Sequence, residues 1–184
     1  MNKVLIVIDA QEDFTRGALR NEEAIKVLPT LREIVDYADI HRMGIIYTAD
    51  THNEDYLNTQ EGINLPVKHC IYGTPGWELC PEVISTQTTR YTICKECFGS
   101  IRWDEWRSSS LLVNANGIWL CGFCTDICVS ANFQIIKAMY PEIPITIIED
   151  ACAGVTPELH EAALKVMRSC QAKIVKWSDL KNEA

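Results

Sequence analysis

Short runs that are apolar on both faces of a strand are the feature that most restricts the fold of this chain. They are rich in Ile and Val, and they occupy residues 4–9, 44–50, 91–94, 117–123, 145–150 and 173–177. Continuous apolar strands of this kind are typical of parallel sheets that are covered on both faces. Helix-like segments separate most of the runs. The alternation predicts an α/β protein with three layers, α/β/α, around a doubly wound, mostly parallel six-stranded sheet.

Two of the intervening helices carry clear start signals. Residues 21–41 open with Asn21 as a predicted N-cap, and Thr156 stands before Pro157 at the start of another amphipathic segment. Pro29 falls inside the first pattern and is expected to kink or restart that helix. Residues 101–114 form a weaker helical pattern.

Composition restricts the class of protein and its partners. The chain has 184 residues, of which 47% are hydrophobic and 23% are charged, and this is enough to form one ordinary core. The sequence contains neither repeats nor a linker. We therefore predict a single domain over residues 1–184. The formal net charge of −8, with no basic cluster, argues against nucleic acid and membrane as partners. We interpret the short apolar run that stops at Asp9 as a buried strand rather than a signal peptide. We therefore expect a cytoplasmic protein whose nine cysteines are free thiols.

The longest irregular segment spans residues 51–90 and shows little periodicity. Compact domains seldom keep so long a segment without a functional reason. In doubly wound sheets, ligands bind at the carboxyl ends of the strands. Asp9, Asp50 and residues 122–128 all lie at such ends, which places a candidate site beside the irregular segment.

Cys128 is a candidate nucleophile because of its position at a predicted helix start. Thr125 is predicted to cap a helix that runs to about residue 139, so that Cys128 is about its third residue. Unpaired amides and the positive end of the helix dipole favour a thiolate there and can hold an oxyanion. The alternative is a small buried hydrophobe. Cys121 and Cys124 are expected to be core or near-core residues.

A second interpretation of the cysteines is a structural zinc site. The two C-x-x-C pairs, Cys94 with Cys97 and Cys121 with Cys124, resemble the ligand spacing of a zinc ribbon. Cys94 and Cys121 lie late in predicted buried strands, where the turns that such sites need are not expected.

The irregular segment also carries a candidate set of metal ligands. Asp50 and His52 are two residues apart on an extended stretch and therefore face the same side, and Glu61 and His69 follow them. Nitrogen and oxygen donors of this kind suit a divalent transition metal. The alternative is a solvated loop in which this spacing arises by chance.

The remaining charged candidates each allow two interpretations. Asp9 at a strand end is either a turn cap or a general base with a raised pKa. Lys95 after a short strand is either a solvated lysine or a buried cation that organises base and thiol. His41 and His160 are predicted to be surface residues.

Four motifs, in order along nearly the whole chain, resemble those of the isochorismatase-like cysteine hydrolase superfamily, and within it the nicotinamidase (pyrazinamidase-type) branch. The matching stretches are IDAQEDF, TADTHNEDY followed by HCIYGTPGWEL, CKECFGS and GFCTDICVSAN. The resemblance implies the isochorismatase-like hydrolase fold. It also implies that Asp9 is the catalytic base, Lys95 the catalytic lysine and Cys128 the nucleophile. A cis peptide bond is implied between Phe123 and Cys124, with the amides of Cys124 and Cys128 as the oxyanion hole.

The resemblance further implies one divalent metal ion, with zinc the first choice and iron or manganese as alternatives. Its ligands would be Asp50, His52 and His69. Some relatives supply a third histidine where this chain has Asn58, and Glu61 is the expected substitute.

The implied activity is conversion of nicotinamide to nicotinate and ammonia through a cysteine thioester, within NAD salvage. Phe14, Trp77 and Trp103 are candidates to stack on the substrate ring, and each tryptophan could instead be a core aromatic. We expect a small-molecule amide as the substrate and a homo-oligomer as the assembly. The alternatives are a related C–N hydrolase for an N-carbamoyl compound, a ureide or another amide, and a non-enzymatic zinc-stabilised domain.

Overall fold

A computed structural model describes residues 2–86, 90–106 and 109–183. Six parallel strands form one sheet in the order β3-β2-β1-β4-β5-β6. This confirms the predicted architecture and the positions of all six runs. The strands are β1 (Lys3–Ile8), β2 (Gly44–Asp50), β3 (Arg90–Lys95), β4 (Gly117–Phe123), β5 (Ile145–Ala153) and β6 (Lys173–Val175).

The helices connect the strands. They are α1 (Glu12–Thr15), α2 (Glu22–Ile40), α3 (Gln60–Asn64), α4 (Ser110–Val113), α5 (Ser130–Met139), α6 (Pro157–Ser169) and α7 (Trp177–Glu183). Asn21 and Thr156 cap α2 and α6 as predicted, because their side chains accept hydrogen bonds from backbone N–H groups of the first turn. Helix α2 continues through Pro29 without restarting. In the described residues, no helix is both long and apolar enough to cross a membrane.

The predicted capping role of Thr125 is wrong. A short π-helical turn, Thr125–Val129, precedes α5, and Cys124 occupies the N-cap position without a side-chain capping bond. Thr125 is therefore the first residue of the turn, and Cys128 is its fourth residue. The weaker helical pattern over 101–114 splits into a 3-10 turn, Ile101–Trp106, and helix α4, while residues 107–108 lie outside the described residues.

The order of the strands places the candidate residues together. Strand β1 pairs with β2 on one side and with β4 on the other, so the chain reverses its direction of winding between β1 and β4. A crevice forms at such a switch point, at the carboxyl ends of the strands. The register aligns Ile8 with Thr48 and with Gly122, and it aligns Asp50 with Lys95.

The irregular segment 51–90 closes over this end of the sheet. It contains helix α3 and three 3-10 turns, Tyr56–Asn58, Pro75–Trp77 and Pro81–Val83. His52 and Ile71 form an isolated parallel bridge. The bridge brings the later part of the segment back beside the end of β2.

Gly122 allows strands β1 and β4 to approach closely where the crevice begins. Its φ of +119° lies in a region that residues with a side chain rarely adopt, and an added Cβ would lie 2.0 Å from the carbonyl oxygen of Ile8. Only a residue without Cβ can therefore present the following peptide, Phe123–Cys124, in this position.

We predict that Gly122→Ala lowers the free energy of unfolding by more than about 2 kcal/mol, because the new methyl group meets backbone that cannot move aside. Gly117→Ala in the same strand is the matched control, since its added Cβ would come no closer than 3.8 Å to another atom. The control should change stability by less than about 1 kcal/mol. Urea denaturation followed by circular dichroism measures both, and equal losses would contradict the explanation.

Candidate active site

Asp9 follows strand β1 directly and is held in a fixed orientation. Its φ is +47°, and its backbone N–H donates to the carbonyl oxygen of Thr48 at 3.2 Å. The Thr48 hydroxyl donates to Asp9 Oδ1 at 2.6 Å. The side chain is completely buried. These contacts leave the second carboxylate oxygen, Oδ2, directed at the neighbouring strand ends.

Lys95, the last residue of β3, is buried at the centre of the site. Its ammonium nitrogen lies 2.7 Å from Asp9 Oδ2, 3.0 Å from Asp50 Oδ1 and 3.5 Å from Cys128 Sγ. Burial lowers the pKa of Lys95, but Asp9, Cys128 and Asp50 outweigh that effect and raise the pKa well above its usual range. Lys95 is thus a buried cation that contacts both Asp9 and Cys128, and the alternative of a solvated lysine is excluded.

The Asp9 carboxylate retains the capacity to accept a proton. Burial raises the pKa of Asp9, and the Lys95 ammonium offsets only part of this increase. Although Oδ2 contacts Lys95 closely, the geometry is that of an ion pair, and Oδ2 has no hydrogen-bond partner of good geometry among the described residues. An oxygen atom in this state is suited to the role of general base.

The Cys128 thiol is buried next to this base. Burial raises the pKa of Cys128, and the negative charge of Asp9 raises it further, while the charge of Lys95 lowers it. These effects together favour the protonated thiol.

The turn that carries Cys128 begins with a cis peptide bond between Phe123 and Cys124, as the motif resemblance implied. Cys124 lies at the N-terminal end of the π-helical turn and is half-buried. Cys121 is completely buried in β4, which confirms its assignment to the core. Cys128 differs from these two cysteines in that its sulfur contacts the Lys95 ammonium group at 3.5 Å.

A four-cysteine zinc site has no support in the structure. In residues 2–86, 90–106 and 109–183, the Cys, His, Asp and Glu groups that lie close enough to share an ion form two sets: Asp50, His52, Glu61 and His69, and Glu12, Cys80 and Glu82. Neither set contains the cysteines of the two C-x-x-C pairs. Arg16 pairs with both glutamates of the second set, which leaves the first as the candidate metal site.

The four side chains of the first set converge as predicted. Their donor atoms all lie within 4.8 Å of one another. The Nε2 atoms of His52 and His69 lie 3.1 and 3.4 Å from Asp50 Oδ2, and 3.6 and 3.7 Å from Glu61 Oε1. Both imidazoles thus direct the same ring nitrogen at the same two carboxylates.

The chemistry of this donor set fits a divalent transition metal. The Nδ1 atom of His69 lies 2.8 Å from the carbonyl oxygen of Val67, and in the tautomer whose Nδ1 donates to this oxygen, Nε2 keeps its lone pair for an ion. Burial raises the pKa of Asp50, but its contacts with His52 and His69 and the charge of Lys95 outweigh burial and hold the pKa far below its usual range. Imidazoles and carboxylates together are suitable ligands for zinc, iron or manganese.

Asp50 joins the two halves of the site. Its Oδ1 atom accepts a hydrogen bond from Lys95, while its Oδ2 atom faces His52 and His69. Gln11, which was not among the predicted site residues, holds Asp50 in place: its side-chain oxygen accepts the Asp50 N–H at 2.7 Å, and its Nε2 donates to the Asp50 carbonyl at 2.9 Å. Gln11 lies within the IDAQEDF motif, so the sequence could have identified it as a site residue.

Asn132 is a second supporting residue that the sequence did not single out. Its side-chain nitrogen donates to the carbonyl oxygens of Cys128, at 2.8 Å, and Phe98, at 3.0 Å. Its side-chain oxygen accepts from the Ser100 N–H and from the Trp103 indole N–H. This buried amide connects the helix behind the nucleophile with the segment that follows Lys95.

One cavity of about 570 Å³ connects the nucleophile with the candidate metal site. Asp50, Glu61, His69, Cys124 and Cys128 line it, and its apolar wall includes Phe14, Leu65, Phe98 and Ile127. The Phe14 ring lies 6.1 Å from that of His69 in an edge arrangement. A flat ring therefore has space between the candidate metal ligands and the thiol.

The two tryptophans lie outside this wall. Trp77 donates its indole N–H to the Thr51 hydroxyl at 2.9 Å, and Trp103 is completely buried with its indole bonded to Asn132. Trp103 is therefore a core aromatic residue, which the sequence had offered as the alternative to stacking on the substrate ring. Phe98, which sequence reasoning missed, is the additional aromatic residue on the wall.

Residues 3–179 match the isochorismatase domain. The chain belongs to this family. The family assignment agrees with the parallel sheet and with the cluster of Asp9, Lys95 and Cys128 at the switch point.

Individual relatives are distant but span the whole domain. The chain is 26% identical to the nicotinamidase/pyrazinamidase of Mycobacterium tuberculosis, over 94% of this chain and 98% of that protein. It is 25% identical to a probable inactive nicotinamidase of Arabidopsis thaliana, over 97% and 95%. The crystal structure of Pyrococcus horikoshii pyrazinamidase in complex with zinc is 27% identical, with a TM-score of 0.82 over 96% of this chain and 100% of that chain.

We predict that the metal-free protein binds one equivalent of Zn²⁺ or Co²⁺. His52→Ala should weaken this binding at least about 100-fold, since mutation of residues that only support metal ligands already lowers metal affinity 10- to 100-fold. Isothermal titration and the visible spectrum of Co²⁺ measure this affinity. His41→Ala, which replaces an exposed histidine, is the matched control. Unchanged binding in the His52 variant would exclude this donor set.

Proposed function

We propose that the protein is a metal-dependent amidohydrolase that converts nicotinamide to nicotinate and ammonia through a cysteine thioester. One observation carries the proposal: Cys128, which contacts the buried Lys95–Asp9 pair, lines the same cavity as Asp50, Glu61 and His69 of the candidate metal site. The nicotinamidase and pyrazinamidase relatives support this choice of substrate.

The nucleophile forms by proton transfer inside the cluster. Asp9 accepts the proton of the Cys128 thiol, and the thiolate attacks the carboxamide carbon of the substrate. Lys95 remains an ammonium ion throughout, because its position next to two carboxylates raises its pKa. Its charge stabilises the thiolate as it forms and keeps Asp9 from holding the proton too tightly.

The amide N–H groups of Cys124 and Cys128 are the proposed oxyanion hole. They lie at the start of the helical segment, where the backbone dipoles present a positive end to the cavity. As the tetrahedral intermediate collapses, the C–N bond breaks, and Asp9 returns its proton to the departing ammonia. A water molecule then loses a proton to Asp9, and the resulting hydroxide attacks the thioester and releases the thiolate and nicotinic acid, which loses its carboxyl proton to solvent as nicotinate. Asp9 finally reprotonates Cys128.

The second half of the site serves recognition. Asp50, His52, Glu61 and His69 would hold the metal ion, which we propose to be zinc. Such an ion would supply a Lewis acid for the pyridine nitrogen of the substrate. Phe14 lies beside His69 and contributes an apolar surface for the ring, and Phe98 contributes another. Ring orientation then directs the carboxamide toward Cys128.

We expect Cys128→Ala and Asp9→Asn each to lower the rate of ammonia release from nicotinamide at least about 1000-fold, because each removes a partner of one proton transfer. Cys97→Ala, which replaces an exposed thiol, is the control and should keep the wild-type rate. The assay is a coupled measurement of ammonia with zinc-loaded protein.

Two outcomes would decide against the proposal. Ammonia release by Cys128→Ala at the wild-type rate would exclude the covalent mechanism. Wild-type activity on an N-carbamoyl amine, with none on nicotinamide, would instead indicate a related C–N hydrolase. The second outcome would leave the roles of Asp9 and Cys128 intact.

The pH dependence of kcat/KM should report the ionisation of Asp9. The base must be ionised, and its pKa is raised in the folded protein, so activity falls as the pH falls through that raised pKa. The Thr48 hydroxyl stabilises the ionised form. We therefore expect Thr48→Val to move the acid limb to higher pH, whereas Thr48→Ser keeps the hydroxyl and the wild-type profile. An acid limb that is identical in all three proteins would contradict the assignment of the base.

A further inference from the structure

His160 contacts the π-helical turn that carries Cys128. It lies in the first turns of α6, and its Nδ1 atom is 2.8 Å from the hydroxyl oxygen of Thr125. Either atom can be the donor of this hydrogen bond. Thr125 is completely buried, whereas His160 is half-buried. A histidine that the sequence predicts to be a solvated surface residue is thus bonded to the first residue of the turn.

A second contact fixes the same turn to the same region. The side chain of Asp126 accepts the backbone N–H of Val155 at 2.9 Å. The backbone at Gly154, next to Val155, has no room for a side chain, because an added Cβ would lie 2.9 Å from both Asp126 Oδ1 and His160 Cβ. Asn21, the N-cap of α2, donates to the Gly154 carbonyl at 2.8 Å. Helix α6 therefore binds the turn through Thr125, and the loop before α6 binds it through the next residue, Asp126.

The position of the turn determines the geometry of both groups that it contributes to the reaction. Thr125 directly follows Cys124, and the same turn carries Cys128 three residues later. The peptide N–H groups at both cysteines and the sulfur of Cys128 move together if the turn rotates. Misplacement of reacting groups by about 1 Å can cost about 100-fold in rate.

From these contacts we infer that His160 is a positioning residue for the nucleophile and the oxyanion hole, and that it acts through the Thr125 hydroxyl. The inference rests on the proposed function for its role in turnover. Among the described residues, the His160 side chain forms its hydrogen bond with Thr125 and not with Asp9, Lys95, Cys128 or a candidate metal ligand. Its removal should therefore lower kcat and leave the substrate KM close to the wild-type value, which is opposite to the effect of losing a ligand of the metal.

The test compares variants that differ only in the polar atom. His160→Leu removes the nitrogen, whereas His160→Asn places a polar side-chain atom near the position of Nδ1. We expect kcat to fall about 10- to 100-fold in His160→Leu with KM within about twofold, and to be largely restored in His160→Asn. Thr125→Val should have an effect similar to that of His160→Leu, and Thr125→Ser should resemble wild type. The double variant, His160→Leu with Thr125→Val, should be no worse than either single variant, because both remove the same hydrogen bond.

The controls separate positioning from loss of folding. Urea midpoints identify any variant that unfolds under assay conditions, and His41→Leu replaces a histidine far from the site. Wild-type kcat in His160→Leu would overturn the inference, as would equal impairment of the Asn and Leu variants. A rise in KM with unchanged kcat would also overturn it.

A measurement that does not depend on turnover keeps this inference separate from the proposed function. Iodoacetamide alkylates thiols, and peptide mass spectrometry gives its rate at Cys128 relative to the exposed Cys97 in the same sample. A displaced turn should change this ratio at least about threefold in His160→Leu, since thiol reactivity depends on local charge and access. If the wild-type protein releases no ammonia from nicotinamide, the proposed function fails and the ratio still tests His160. An unchanged ratio overturns the positioning role.

Discussion

The buried ammonium group of Lys95 is the interaction on which the rest of the site depends. A charged group that is almost completely removed from water must be compensated by opposite charge, and here two carboxylates from two neighbouring strands provide it. Asp9 and Asp50 are thereby held on either side of one nitrogen atom. Because Cys128 Sγ also lies 3.5 Å from this nitrogen, the cation connects Asp9, Cys128 and the candidate metal site in one electrostatic unit.

The shared cation explains why two carboxylates in one site have opposite tendencies. Asp9 is completely buried with few partners, so burial dominates and its pKa is raised. Asp50 accepts hydrogen bonds from Lys95 and faces two imidazoles, so its pKa is held far below its usual range. One carboxylate is thus prepared to accept a proton, and the other is prepared to remain an anion. Pairs of titratable groups whose environments separate their pKa values are typical of sites that perform acid–base chemistry.

Much of this arrangement follows from strand ends that are visible in the sequence. Asp9, Asp50 and Lys95 each stand at the end of an apolar run, and parallel strands bring such residues to one edge of the sheet. The roles of Thr125 and Trp103 did not follow in the same way. Thr125 has the residue type of an N-cap, but its hydroxyl bonds to His160, which lies 35 positions later in the chain. Trp103 is apolar enough to line a ring pocket, yet Asn132 satisfies its indole in the core.

The sequence by itself determined the strands, the fold class and the chemical groups available at the carboxyl ends, because apolar periodicity and motif order are local properties of the chain. Only the tertiary structure decided which of these groups touch. The contacts of Lys95, the support of Asp50 by Gln11, and the bond between His160 and Thr125 join residues that are far apart in sequence. They depend on strand register and helix packing, and a change of a few ångströms in either would remove them without altering any motif. The surroundings of the Cys128 thiol were decided at the same level, since burial and the neighbouring Asp9 raise its pKa.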